Sequence, residues 1–275
     1  STIIFHGIPY PPHQQLKKQQ TLPLYFTKVA EQMVYFRMFY FSFEKNIIIL
    51  ACTLHSVYNK CKTKAGEIAM LTIYLVRHGQ TEWNLTGRMQ GWENSDLTPS
   101  GINDALALGK RLKDTPIDFI YTSTSERAAY TAELIAGKRV IPLIKSELLR
   151  EMSFGDWEGR HKEDIVAEYP NEYKSFWETP HLYQRNSGES YSQILERAAV
   201  SYKKITEAHP TGTVLIVSHS LFIRAFMASI KNLSLSQLYS QPYIGNVSLT
   251  KITINQHKPE IIFEGDTTHC QNELT

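Results

Sequence analysis

Cysteine is scarce: Cys52, Cys61 and Cys270 are the only three in 275 residues. An odd count with no Cys-x-x-Cys pair excludes a disulfide framework, argues against a structural zinc site and suits a reducing cytoplasm. No two of the ten histidines stand in His-x-x-x-His spacing, so the pattern of a metal-binding helix face is missing and no metal is expected. Long apolar runs are missing too. The most apolar stretch, Met33 to Tyr58, is broken by Arg37, Glu44 and Lys45, and its longest uncharged part, Asn46 to Asn59, falls short of the roughly 20 residues that cross a bilayer. No stable membrane association is expected. The first twenty residues, rich in Pro and Gln, lack the basic and apolar regions of a secretory signal.

Aspartate is absent from residues 1–69, which carry 8 Lys+Arg against 3 Glu, a formal charge of +5. Residues 70–275 carry −3, so the +2 of the whole chain describes neither part. The slight basicity is no nucleic-acid signal, and no nucleic-acid partner is expected. Segment 1–69 also holds eleven of the 31 aromatic residues, with no sustained amphipathic period and few turn or cap signals. The expectation is that translation begins at Met70 and that 1–69 is upstream sequence read through in frame. The codons of Ala65-Gly66-Glu67 can spell a purine-rich, bacterial-type ribosome-binding sequence. The alternative is a genuine membrane-associating or partner-binding extension.

From Met70 onward, apolar runs rich in β-branched residues alternate with segments of helical period, the pattern of an α/β layered domain. Strands are expected at 71–77, 117–122, 140–144, 213–218, 247–254 and 260–264. Helices are expected from Thr98-Pro99 to about Lys113, with Leu106, Leu108 and Leu112 apolar, and at 125–136, 190–208 and 221–230. The polar, aromatic-rich stretch 155–188 reads as a helical excursion.

Three of these strands end in similar polar residues: Arg77-His78-Gly79, Thr122-Ser123 leading to Arg127, and Ser218-His219-Ser220. Ligands of open α/β sheets bind beyond the carboxyl ends of the strands, so the three ends converge on one pocket. Two Arg, two His, hydroxyls and helix N-termini form an anion receptor, and Arg matches the forked oxygens of phosphate. A histidine among arginines is held neutral by like-charge repulsion, and a neutral imidazole is a nucleophile. His78 is therefore suited to attack the phosphoryl group that the pocket binds.

The run LVRHGQTEWN at 75–84 resembles the RHG signature of the histidine phosphatase superfamily. TSTSERAAYTAE at 122–133, LLREMSFGDWEG at 148–159 and VSHS at 217–220 follow in the family's order, and the resemblance extends from Leu71 to about Ile254. It implies a phosphoglycerate mutase-like fold: a three-layer α/β sandwich whose mostly parallel central sheet is flanked by helices, with a helical cap insertion at about 155–188 in a domain spanning 70–275. By the same resemblance His78 becomes the phosphohistidine, Glu151 is the general acid and base, and His219 is the second catalytic histidine. Arg77 and Arg127 bind the phosphoryl oxygens, with Asn84, Thr81, Gly79 and Gln90 as further substrate-binding positions. The substrate is a small-molecule phosphomonoester, and no cofactor is implied.

RMQGW at 88–92, Asp96-Leu97-Thr98, FGDWEG at 154–159 and Gly188-Glu189-Ser190 are similar to PhoE-type broad-specificity phosphatases. Related mutases carry extra segments over the pocket, and the 206 residues from Met70 leave little for such a lid, which favours hydrolysis. A phosphoglycerate mutase, an α-ribazole phosphatase and a non-catalytic phospho-ligand module are the alternatives. The aromatics of 155–188 (Trp157, Tyr169, Tyr173, Phe176, Trp177, Tyr183) either contact ring-bearing substrates or pack the cap on the body. One residue departs from the family: Ser220 stands after the second histidine, where Gly is common. As an N-cap, Ser would be competent; at a positive φ, it would be strained.

Overall fold

The computed structural model describes residues 70–184 and 187–270, and the expectation for 1–69 lies outside them. The elements in chain order are β1 Met70–Arg77, α1 Glu82–Leu85, α2 Pro99–Arg111, β2 Phe119–Ser123, α3 Glu126–Ala136 and β3 Leu143–Ser146. They are followed by α4 Lys162–Glu168, α5 Pro170–Glu178, α6 Tyr191–Ala208, β4 Gly212–Ser218, α7 Ser220–Lys231, β5 Leu249–Asn255 and β6 Lys258–Asp266. The six strands form one sheet in the order β3-β2-β4-β1-β5-β6. The first four run parallel; β5 and β6 close the far side as an antiparallel hairpin.

Alternation along the central strands makes the layers. Leu71, Ile73 and Leu75 of β1, with Val214 and Ile216 of β4, enter a core shared with Ile194, Ala198 and Ile205 of α6 and Phe222 and Phe226 of α7. Tyr74, Val76, Leu215 and Val217 point the other way, onto Ala105 and Leu108 of α2 and Ala128, Ala132 and Ile135 of α3. Such strands, buried on both faces, read as near-continuous apolar runs. Each fully buried aliphatic side chain contributes about 1.5–3 kcal/mol.

Helix starts follow the expected caps. The Thr98 hydroxyl accepts from the Gly101 amide ahead of Pro99, and Ser190 with Gln193 forms a reciprocal capping box on α6. Two expectations fail locally. Leu108 and Leu112 are buried but Leu106 faces solvent, two residues being too few to return to the same helical face. The third strand forms at Leu143–Ser146 rather than 140–144, and Val140 is fully exposed. Pro142 has no N–H for a ladder and supplies only its carbonyl, to the Ile120 amide at 2.9 Å. Arg139 is meanwhile occupied in tying down the carbonyls of Leu112, Ile135 and Ala136.

In the stretch 155–188, α4 and α5 are helical as expected. Trp157, Phe176 and Tyr183 are buried against one another and against Tyr191, with Tyr169 and Tyr173 packed on them. These rings serve packing; Trp177 alone of the six is exposed, at 36%. No helix among the described residues is long and apolar enough to cross a membrane.

Candidate active site

Strands β1 and β4 lie side by side with Arg77 opposite Ser218, so the residues that follow, His78 and His219, leave the sheet as neighbours. The His78 amide donates to the Ser218 carbonyl at 2.9 Å, and the two imidazoles sit 5.1 Å apart, centroid to centroid. Strand β2 flanks β4 on its other side and leads through Ser125 into the first turn of α3, which carries Arg127. The three polar strand ends meet as expected.

His78 lies with Nδ1 2.8 Å from the Gly79 carbonyl. A carbonyl only accepts, so Nδ1 carries the proton and Nε2 keeps its lone pair. Burial, then the positive charges of Arg127 and Arg77, hold its pKa well below the ordinary histidine value. The ring is neutral at physiological pH. Gly79 is required by crowding: a Cβ there would meet the Gly101 carbonyl oxygen, a backbone atom at the start of α2, at 2.8 Å. Its amide donates to Thr131 Oγ1 at 3.0 Å.

His219 takes the opposite tautomer. Its Nδ1 lies 3.2 Å from an Arg127 N–H nitrogen; a guanidinium only donates, so Nδ1 accepts and the proton sits on Nε2. Burial, followed by Arg127, lowers its pKa well below the usual value. Arg127, almost wholly buried, spends its terminal nitrogens on the carbonyls of Glu93 (2.5 Å) and Gly91 (2.7 Å). Burial brings its pKa down to about 10 against the opposing charge of Glu151, so it remains a cation. Arg77 donates to the Ile244 carbonyl at 2.9 Å.

Of the side chains just described, three keep a buried N–H group with no acceptor among the described residues: Arg77 Nε, Arg127 Nε and His219 Nε2. Each unmade hydrogen bond of this kind costs about 1–3 kcal/mol, and three around one histidine make an anion receptor.

Glu151 is buried against the N-terminus of α7. Oε1 accepts from the amides of Met152 (2.9 Å) and Phe222 (3.1 Å), and Oε2 from that of Leu221 (3.2 Å). Burial raises its pKa above the usual carboxylate value, while these amides and Arg127 pull the other way. With two donors already on Oε1, Oε2 is the oxygen left to carry a proton.

Thr81, Asn84 and Gln90 close the loop after His78. Thr81 Oγ1 accepts from Gln90 Nε2 at 2.8 Å and from the Asn84 amide at 3.2 Å, and Asn84 Oδ1 accepts from the Thr81 amide at 3.2 Å. Their polar groups thus serve one another, and Thr81 with Asn84 forms a reciprocal capping box on α1. Sequence reasoning missed Asn246, whose Nδ2 donates to the His78 carbonyl (3.1 Å) and to Asn84 Oδ1 (3.3 Å). It comes from a loop without periodicity or motif, beside Val247 at φ 55°.

Ser220 is not the N-cap. His219 is, with φ −132° and ψ 165°, and Ser220 is the first helical residue of α7, outside the positive-φ set. Nothing there requires glycine. Ser220→Gly is expected to change the hydrolysis rate less than about threefold and to cost a few tenths of a kcal/mol in stability. Rate assays and thermal melts check both; a large gain in rate would mean that the serine impairs the loop.

A family model described as histidine phosphatase superfamily (branch 1) matches residues 73–267. Among solved structures, the chain is similar to Bacillus stearothermophilus YhfR, with 42% identity and a TM-score of 0.71 over 73% of this chain and 100% of that one. Among curated proteins it is 30% identical over 200 residues to phosphoserine phosphatase 1 of Hydrogenobacter thermophilus, covering 73% of this chain and 94% of the relative. It is 34% identical over 177 residues to a 2,3-bisphosphoglycerate-dependent phosphoglycerate mutase of Bartonella tribocorum, covering 62% and 86%.

Proposed function

The chain belongs to the histidine phosphatase superfamily, branch 1, and from that premise we propose that it hydrolyses small-molecule phosphomonoesters through a phosphohistidine on His78. The observation that carries this reading is the set of three buried, acceptorless N–H groups around a histidine whose tautomer leaves Nε2 as a base.

In the first step His78 Nε2 attacks phosphorus and the P–O bond to the ester oxygen breaks. The Glu151 carboxyl gives its proton to the departing alkoxide. The Nδ1–H bond to Gly79 steadies the cationic ring that results. Arg77, Arg127 and His219 donate to the non-bridging oxygens, where most of the stabilisation in phosphoryl transfer arises. In the second step the Glu151 carboxylate takes a proton from water as the water oxygen attacks phosphorus. The P–N bond breaks, phosphate leaves, and neutral His78 and protonated Glu151 are restored. None of these steps calls for a metal or cofactor. The cysteine usage supports a cytoplasmic setting, and the bacterial relatives support a bacterial one.

The mutase relatives make transfer to a second hydroxyl the competing outcome. Incubation with 3-phosphoglycerate, followed by product analysis, is expected to yield inorganic phosphate and glycerate. Accumulation of 2-phosphoglycerate without phosphate release would overturn the hydrolytic reading.

The active form needs His78 neutral and Glu151 protonated. Activity should therefore persist into acid, falling only as His78 gains its proton well below pH 6.5. It should decline on the alkaline side as Glu151 loses its proton above the usual carboxylate pKa. A profile of kcat/KM against pH, corrected for the substrate's own ionisation near pH 6, measures both limbs.

A further inference from the structure

The backbone that carries Glu151 is gripped by a partly buried ion pair that no catalytic step uses. Arg197, in the second turn of α6, has five N–H donors, and five hydrogen bonds engage them. Its Nε and one terminal nitrogen meet the two carboxylate oxygens of Glu189 at 3.0 and 2.7 Å, a two-point fork. The remaining donors reach the carbonyls of Leu148 (3.0 Å), Arg150 (2.7 Å) and Glu151 itself (3.1 Å). Glu189 completes the grip beyond the acid: its carboxylate accepts from the Ser153 amide at 2.9 Å, and its own amide donates to the Ser153 carbonyl at 2.9 Å. Both peptide groups of Ser153 and the carbonyl of Glu151 are thereby held by one pair. The Arg197 guanidinium also lies over the ring of Phe222 at 5.6 Å, and the Phe222 amide is one of the donors to the Glu151 carboxylate. On the other side, the Trp92 indole N–H donates to the Glu151 carbonyl at 2.9 Å.

We infer that the Glu189–Arg197 pair is a positioning device for the acid/base: it fixes residues 148–153 so that the Glu151 carboxyl stays seated on α7 and aimed at the leaving oxygen. The inference rests on the reading of Glu151 as acid and base given above. Stability alone does not account for such a pair, because well-packed apolar residues often serve it as well as a largely desolvated salt bridge does. Displacement of a reacting group by about 1 Å, in contrast, can cost on the order of 100-fold in rate. Lysine is no substitute, since one ammonium cannot reproduce a planar five-donor fork.

The test compares Arg197→Lys and Glu189→Gln with the parent enzyme, using Glu151→Gln as reference, at a temperature where melts show every protein folded. The readout is kcat/KM, which reports phosphoryl transfer to His78, for an alkyl phosphate and for p-nitrophenyl phosphate, whose leaving group departs without a proton. Arg197→Lys is expected to lose roughly 10–100-fold on the alkyl ester and less than about threefold on the aryl ester, with the alkaline limb of the pH profile displaced. Glu189→Gln should fall between that variant and the parent. Equal losses on both esters, in step with lowered melting temperature, would overturn the inference and leave the pair a stability element. If Glu151→Gln itself shows no dependence on the leaving group, the acid reading fails and takes the inference with it.

Discussion

The His78→Ala protein is expected to fold and to bind inorganic phosphate, yet to lose hydrolysis by a factor on the order of 10⁶, the scale seen when a covalent enzyme is deprived of its nucleophile. The separation of binding from turnover follows from the geometry. The groups proposed to meet the phosphoryl oxygens, Arg77 Nε, Arg127 Nε and His219 Nε2, are anchored by hydrogen bonds that do not involve the His78 ring. Arg77 is tied to Ile244, Arg127 to Gly91 and Glu93, and His219 to Arg127. Since His78 is neutral, its deletion strands no charge; the protein loses one hydrogen bond to Gly79 and some packing. Calorimetric titration with phosphate and a sensitive release assay test the two halves. Loss of phosphate affinity in proportion to rate would make the ring part of the receptor rather than the nucleophile.

Glu151→Gln should cost roughly 10²–10⁴-fold on alkyl phosphates, the range of general acid catalysis. Two effects combine. The amide has no proton to give the alkoxide, and no base to take one from water. It also fits poorly where it sits: three backbone amides converge on the two oxygens of Glu151, so the NH₂ group of Gln must face at least one of them. A donor set against a donor at a buried position costs about 1–3 kcal/mol. The alkaline limb of the pH profile should vanish, because the group whose pKa burial has raised is no longer there. With p-nitrophenyl phosphate, one equivalent of nitrophenolate should be released quickly and later turnovers slowly. Steady release at the parental rate would remove Glu151 from the dephosphorylation step.

Much of this arrangement was legible in the chain. The continuous apolar run LTIYLVR, the Thr98-Pro99 start of α2 and the Ser190 start of α6 are local signals, and the structure follows them. The convergence of Arg77, His78, Arg127 and His219 was readable because parallel strands deliver their carboxyl ends to one side of a sheet. What stayed hidden depends on contacts distant in sequence. Asn246 reaches His78 across 168 positions, and Arg197 reaches the Glu151 carbonyl across 46; neither spacing leaves a periodic trace. The third strand was misplaced because Val140 and Ile141 are apolar, while the missing donor of Pro142 decides where the ladder begins. The aromatics of 155–188 carried no indication of direction, and their mutual packing is a property of the fold.

The phosphoenzyme is the centre of the account, and rapid quenching of the enzyme with a ³²P-labelled substrate tests it most directly. The expected result is one label per chain, stable in base and labile in acid, on the peptide that contains His78. Phosphorus should be bonded to Nε2, and no label should appear in His78→Ala. An acid-stable label, a label on another residue, or undiminished hydrolysis by His78→Ala would contradict the mechanism.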